Sequence, residues 1–275
     1  MRGALLAALV LLPAGAHAHA GLREALARLD RQLEAGPSAT LLLDRAERQL
    51  QDGEAAGALA DLDRARAAPS TAAEQRRERA LRGLVLAAAG RGTEALAALE
   101  QGFHDSPTGP LHRARAGVLG RLGRWAEAAE AARQAYALTP SPEACLEWAE
   151  AAERAGRPAD AEAVLESGLR QLGGASAVRL ALVSLERRLG QPARALRWVQ
   201  EAEAAHPRSP EWPLLAAELE FERGRKAEAQ AALARASEGL VQRARRGRGG
   251  GLDAPLQERA RVLQAKLGTN GRRSP

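Results

Sequence analysis

Apolar residues fall at helical spacing wherever they form a run. Leu22, Leu26, Leu29 and Leu33 stand at i, i+4, i+7 and i+11, one stripe on a helix that Gly36-Pro37 stops. Leu256, Ala260, Leu263 and Leu267 repeat that spacing near the other end, and Cys145, Trp148, Ala149 and Ala152 make a third stripe. Between the two outer stripes the chain is punctuated by glycine. Gly53, Gly90, Gly123, Gly156, Gly190 and Gly224 are separated by 37, 33, 33, 34 and 34 residues. Five residues after each comes alanine: Ala58, Ala95, Ala128, Ala161, Ala195 and Ala229. Seven residues before each comes a small or compact residue: Ala46, Gly83, Ala116, Ala149, Val183 and Ala217. Pro69, Pro107, Pro140 and Pro207 close most of the units. A side chain of one methyl or less lets two helix backbones approach closely, and glycine permits the left-handed turn that reverses the chain.

Repetition at this period is the mark of stacked helical hairpins, each burying the apolar face of its neighbour. The segments Gly123-Arg124-Trp125-Ala126-Glu127-Ala128-Ala129 and Gly90-Arg91-Gly92-Thr93-Glu94-Ala95-Leu96 carry the pattern most fully, and over residues 39–241 the chain resembles the tetratricopeptide repeat (TPR) family. The resemblance implies an all-α fold, a right-handed superhelical solenoid of about six helix-turn-helix repeats. Residues 21–36 and 254–267 are expected to cap its two ends. The chain departs from the family at Arg79, His112 and Arg179, where first-helix aromatics belong, and its fourth unit ends in Gly173-Gly174 instead of proline.

In that family the first helix of each unit lines the concave wall. The same register here places Arg113, Arg121, Glu147, Glu150, Glu153, Arg154, Arg187, Arg188, Glu218 and Glu222 along it. Bands of both signs suit an extended peptide or a partner helix of complementary charge. The same residues also make an ordinary solvated helix face.

Composition supports helices over sheets. Apolar residues make up 45% of the 275 residues, yet aromatics only 3%, with Ala and Leu supplying most of the rest. Residues 1–20 read as a secretory signal peptide: Arg2, an apolar run from Leu5 to Leu12, the breaker Pro13, then small residues. Cleavage after Ala18 or after Ala20 satisfies the small-x-small rule, and the expected destination is the periplasm or the exterior. Cys145 is the single cysteine, so no disulfide within the chain can staple the fold, and its apolar stripe points to a buried thiol.

The net charge of +6 is unevenly placed. From residue 240 onward nine Arg or Lys face two Asp or Glu, which leaves residues 21–239 at −2 once Arg2 leaves with the signal. Residues 242–253 read as a basic Gly/Arg-rich linker and 268–275 as a disordered tail. Arg243, Arg245, Arg246 and Arg248 could touch an anionic membrane surface. The segment carries no aromatics for base stacking, which argues against nucleic acid.

No nucleophile stands beside a base in a recognisable spacing, and His104, Asp105 and His112 flank one connection without the i, i+4 pairing of a helical zinc site. No cofactor or metal is expected. The leading expectation is therefore a non-catalytic interaction scaffold of the cell envelope, with membrane tethering through the basic segment as its rival.

Overall fold

A computed structural model describes residues 16–105, 107–246 and 253–269, and within them the chain is helical apart from short connections. The signal segment up to residue 15, Arg248 and the tail from residue 270 lie outside the described residues.

The six register glycines set where helices end. All adopt left-handed backbone, with φ between 71° and 83°. That region costs an L-residue roughly 1–2 kcal/mol. Nothing would crowd a Cβ at any of them, so conformation and not space selects glycine. At five of them the next residue closes the turn by donating its N–H to the carbonyl five residues back: Glu54 to Gln49, Arg91 to Leu86, Arg124 to Leu119, Gln191 to Glu186 and Arg225 to Glu220. These bonds satisfy carbonyls that the helix end would otherwise leave open.

The chain forms two compact units that meet in sequence at Gly156. The first contains α1 (Ala16–Ala35), α2 (Ala39–Asp52), α3 (Ala55–Ala67), α4 (Ala72–Ala88), α5 (Gly92–Asp105), α6 (Gly109–Arg121), α7 (Trp125–Leu138) and α8 (Pro142–Arg154). Here α2 packs on α3, α4 on α5 and α6 on α7 across the register glycines, while α2, α4, α6 and α8 touch in succession. The second contains α9 (Pro158–Gln171), α10 (Ser176–Arg188), α11 (Pro192–Ala205), α12 (Glu211–Glu222), α13 (Lys226–Arg245) and α14 (Ala254–Thr269). In it α10 packs on α9 and α11, and α12 on α11, α13 and α14.

The alanine register is buried throughout, with Ala58, Ala95, Ala195 and Ala229 at 0% exposure and Ala128 and Ala161 at 1%. The compact residue ahead of each glycine is buried as well. At Gly83 an added Cβ would sit 2.8 Å from a Leu99 methyl and 3.1 Å from the Leu99 nitrogen, so a side chain there would force Leu99 to move. The stripe of α14 is buried along Leu256, Ala260, Leu263 and Leu267, continuous with the core of α12 and α13. Of the stripe on α1, Leu29 and Leu33 are buried and Leu22 and Leu26 partly exposed.

Three sequence boundaries shift. Helix α1 begins at Ala16, ahead of the expected start at residue 21. Helix α13 continues to Arg245, four residues into the expected linker. The cause is local: Leu240 is buried, and Arg243 Nη1 reaches Asp253 Oδ1 at 2.9 Å and Glu211 Oε1 at 3.6 Å, holding the last turn in place. At the far end α14 reaches Thr269, past the expected end at residue 267.

Candidate partner-binding face

Successive first helices in each unit are linked side by side through polar side chains. In the first unit the Thr40 hydroxyl on α2 donates to Glu74 on α4 at 2.5 Å. That bond, with the Thr71 backbone N–H, lowers the Glu74 carboxyl to about 2. Arg77 of α4 reaches back to Asp44 at 2.7 Å and Glu47 at 2.6 Å. Arg121, at the end of α6, donates to the Ala87 carbonyl near the end of α4 at 2.8 Å, an acceptor that the Gly90 N–H also reaches at 3.3 Å. Arg113 of α6 clasps Glu147 of α8, with Nε 2.7 Å and 2.8 Å from the two carboxylate oxygens. Within α8, Arg154 lies 3.5 Å from Glu150 and stacks 5.2 Å above the Trp125 ring. Glu153 is half-buried on the same helix.

The second unit repeats the device. Arg187 of α10 is bonded to Glu222 of α12, and Glu218 of α12 to Arg259 of α14 at 2.9 Å and 3.0 Å. Arg188, next to Arg187, is exposed. The expected bands of opposite charge are thus largely mutual ion pairs in rungs one repeat apart. Half-exposed pairs of this kind add about 0–1 kcal/mol each, so their main effect is to fix side-chain direction.

Between α10, α12 and α14 lies an open cleft of about 390 Å³. Phe221, Val262 and Leu263 give it apolar surface; Arg187, Glu222, Glu218 and Arg259 form charged walls. Sequence reasoning found the four first-helix charges except Arg259 and missed the apolar lining. Phe221 and Val262 look unremarkable in the sequence, because only the packing of α14 on α12 brings them together. In the first unit a hollow of about 330 Å³ is lined by Arg79, one of the three departures from the family pattern, with Arg66, Glu74 and Glu78.

The other two departures are built into the packing. His112 lies within the first turn of α6 and is buried, its ring 4.5 Å from that of Phe103. Burial lowers its pKa, and the nearby Arg115 charge lowers it further. It is a packing residue, not a member of a pair with His104, which is exposed. Arg179 of α10 is 12% exposed at its side chain and donates to the Trp198 carbonyl at 3.1 Å, doing with a guanidinium what the aromatic does by area. Cys145 is fully buried, forms no disulfide, and has its thiol pushed up to about 11 by burial. Of the basic segment, Arg243 is held by the contacts to Asp253 and Glu211, whereas Arg245 and Arg246 are exposed. Among the described residues no group of three or more His, Cys, Asp or Glu is arranged to hold a metal ion, and no helix is long and apolar enough to cross a membrane.

No family model and no curated protein matches the sequence. Solved structures do match the fold. A tetratricopeptide repeat protein from Parabacteroides merdae ATCC 43184 is 18% identical at a TM-score of 0.53, covering 87% of this chain and 95% of that one. The C-terminal part of a TPR repeat-containing protein from Cytophaga hutchinsonii is 14% identical at a TM-score of 0.65, covering 81% and 96%. A structure of the protein MamA is 15% identical at a TM-score of 0.50, covering 63% and 96%. At such identities the likeness establishes the tetratricopeptide repeat fold and nothing about a partner.

Proposed function

We propose that this chain of tetratricopeptide repeat fold is a non-catalytic interaction scaffold of the cell envelope, which holds a peptide or partner protein on its first-helix face. The observation that carries this reading is the cleft of the second unit, where apolar surface from Phe221, Val262 and Leu263 lies between ion-paired walls. An apolar floor supplies affinity by burying a partner side chain, and fixed polar rims restrict its direction. The walls are nearly balanced in charge, which favours an apolar anchor residue over a strongly charged one.

Export follows from the signal-like residues 1–20, with cleavage after Ala18 or Ala20, and is tested by N-terminal sequencing of the chain recovered from the periplasm or medium. An unprocessed chain in the cytoplasm would end the envelope assignment.

The scaffold reading is tested by affinity capture of envelope proteins with three forms: the unaltered chain, Phe221→Glu in the cleft, and Arg133→Glu on the second helix α7. A protein retained by the first and third and lost with Phe221→Glu, at unchanged melting temperature, is the expected result. Equal retention by all three would remove the cleft from the binding surface.

A further inference from the structure

Glu186 of α10 is completely buried, and neither of its carboxylate oxygens has a hydrogen-bond partner. A buried carboxylate without hydrogen bonds is among the costliest groups a protein interior can hold, and proton uptake is the simplest way to remove that cost. Within the second unit α10 packs against α9 and α11, and each contributes charge towards Glu186. From α11, Arg194 Nε lies 3.4 Å from Glu186 Oε1, too poorly aligned to make a hydrogen bond, and Arg197 acts at longer range. From α9, Glu162 and Glu166 compete for the same guanidinium: Glu162 is bonded to Arg194 Nη2, and Glu166 lies 3.8 Å from it. Gln191 takes Arg194 Nη1 at 3.0 Å. Three carboxylates therefore surround two arginines, and Glu186, both of whose oxygens are buried without a hydrogen bond, is the one furthest from water.

We infer that the Glu162–Glu166–Glu186–Arg194 cluster is an acid-responsive clasp, which takes up one proton on Glu186 and thereby tightens α10 between α9 and α11. One proton balances the cluster. The Glu186 carboxyl titrates above the ordinary glutamate range, chiefly because of burial and then because of the Glu166 charge. The folded unit then binds more protons than the unfolded chain at pH values above the ordinary range, so its stability falls as pH rises through the folded pKa. Arg194 is only partly exposed and its best bond is to Glu162, so it leaves Glu186 under-compensated. The clasp operates whatever partner the first-helix face holds.

The test uses the full chain and its Glu186→Gln variant, which keeps the shape and removes the charge. Amide exchange of Leu182–Arg188 is compared between the two at equal pH from 5 to 8. The variant should exchange about tenfold more slowly than the unaltered chain at pH 8, with the difference shrinking as pH falls towards the ordinary glutamate range. A ratio that stays constant across this range overturns the clasp. A carboxyl carbon titration of Glu186 in the unaltered chain decides the matter even if the variant fails to fold. A midpoint above the ordinary glutamate range supports the clasp, and one within or below that range overturns it.

Discussion

Where α7 and α8 lie in the first unit, the buried residues are mostly alanine, Ala128, Ala129, Ala131, Ala132 and Ala135 on one helix and Ala144, Ala149, Ala151 and Ala152 on the other, with one ring pair, Tyr136 and Trp148, between them at 5.8 Å. In the second unit α12 fills the comparable role with Trp212, Leu214, Leu215 and Leu219. Both units hold buried carboxylates against arginines, and Glu186 of the second departs from that. In the first, Asp61 receives Arg45 at 2.5 Å and 2.6 Å, and Glu78 receives Arg82 at 2.6 Å and Arg66 at 3.1 Å. In the second, Glu220 receives Arg223 at 3.0 Å and Asp253 receives Arg243 at 2.9 Å, whereas Glu186 has an ion pair at 3.4 Å and no hydrogen bond. Identical turns and alanine registers thus tolerate very different fillings. The period controls where backbones come together, whereas the side chains around that contact are free to trade area for closeness.

The sharpest way to break the shared register is to load it. Ala128→Arg in the first unit and Ala195→Arg in the second each force a long charged side chain into a contact that is fully buried, at a cost of about 3–5 kcal/mol. Chemical denaturation should show a large loss for both, and indifference of either unit would mean that its register is not what closes the helices. Truncating filling instead of loading it comes next. Leu182→Ala in α10 removes a side chain with no exposure and should cost about 2–5 kcal/mol, whereas the alanine-built α7–α8 contact has no large side chain to lose at its register positions.

Turn chemistry should give a smaller and equal effect in both units. Gly123→Ala and Gly190→Ala place an L-residue at φ values of 74° and 71° in open space, so each should cost roughly 1 kcal/mol. Unequal melting shifts would show that one turn relaxes into another conformation.

Acid should separate the units by sign. His112 has its pKa lowered by burial, so the folded first unit binds fewer protons than the unfolded chain just below the ordinary imidazole value of about 6.5. Its contribution is present above that value and lost as pH falls below it, the reverse of Glu186. The melting midpoint should drop more between pH 7 and 5 in the unaltered chain than in His112→Phe; parallel curves would show that the imidazole titrates alike in the folded and unfolded chain. The smallest effect belongs to the rungs. Replacing Glu147 or Glu222 by Gln should change stability by about 0.5 kcal/mol or less, diminishing with salt, because both pairs are half in water.

Much of this was legible in advance, for identifiable reasons. The glycines could be read because a left-handed turn admits few residue types, and the alanines because close backbone approach excludes nearly everything larger. The stripe on α14 was legible because helical spacing reveals a buried face. The charges of the candidate site were placed on the right helices, yet their pairing was not. Arg113 finds Glu147 and Arg187 finds Glu222 across a distance of one repeat, a relation that depends on how neighbouring first helices lie and not on either helix alone. His112 and Arg179 illustrate the opposite failure. Both looked like gaps in an aromatic pattern, but stacking on Phe103 and bonding to the Trp198 carbonyl made packing residues of them.

Sequence by itself determined the class of fold, the places where helices reverse and the residues at their closest contacts, because these depend on local backbone freedom and on side-chain size at a fixed period. Tertiary structure alone decided which charges are spent on one another, that α14 supplies one wall of a cleft, and that Glu186 is shut away from water without hydrogen bonds. Those outcomes arise where side chains from separate helices meet, and burial then turns an ordinary glutamate into a group whose charge has a cost.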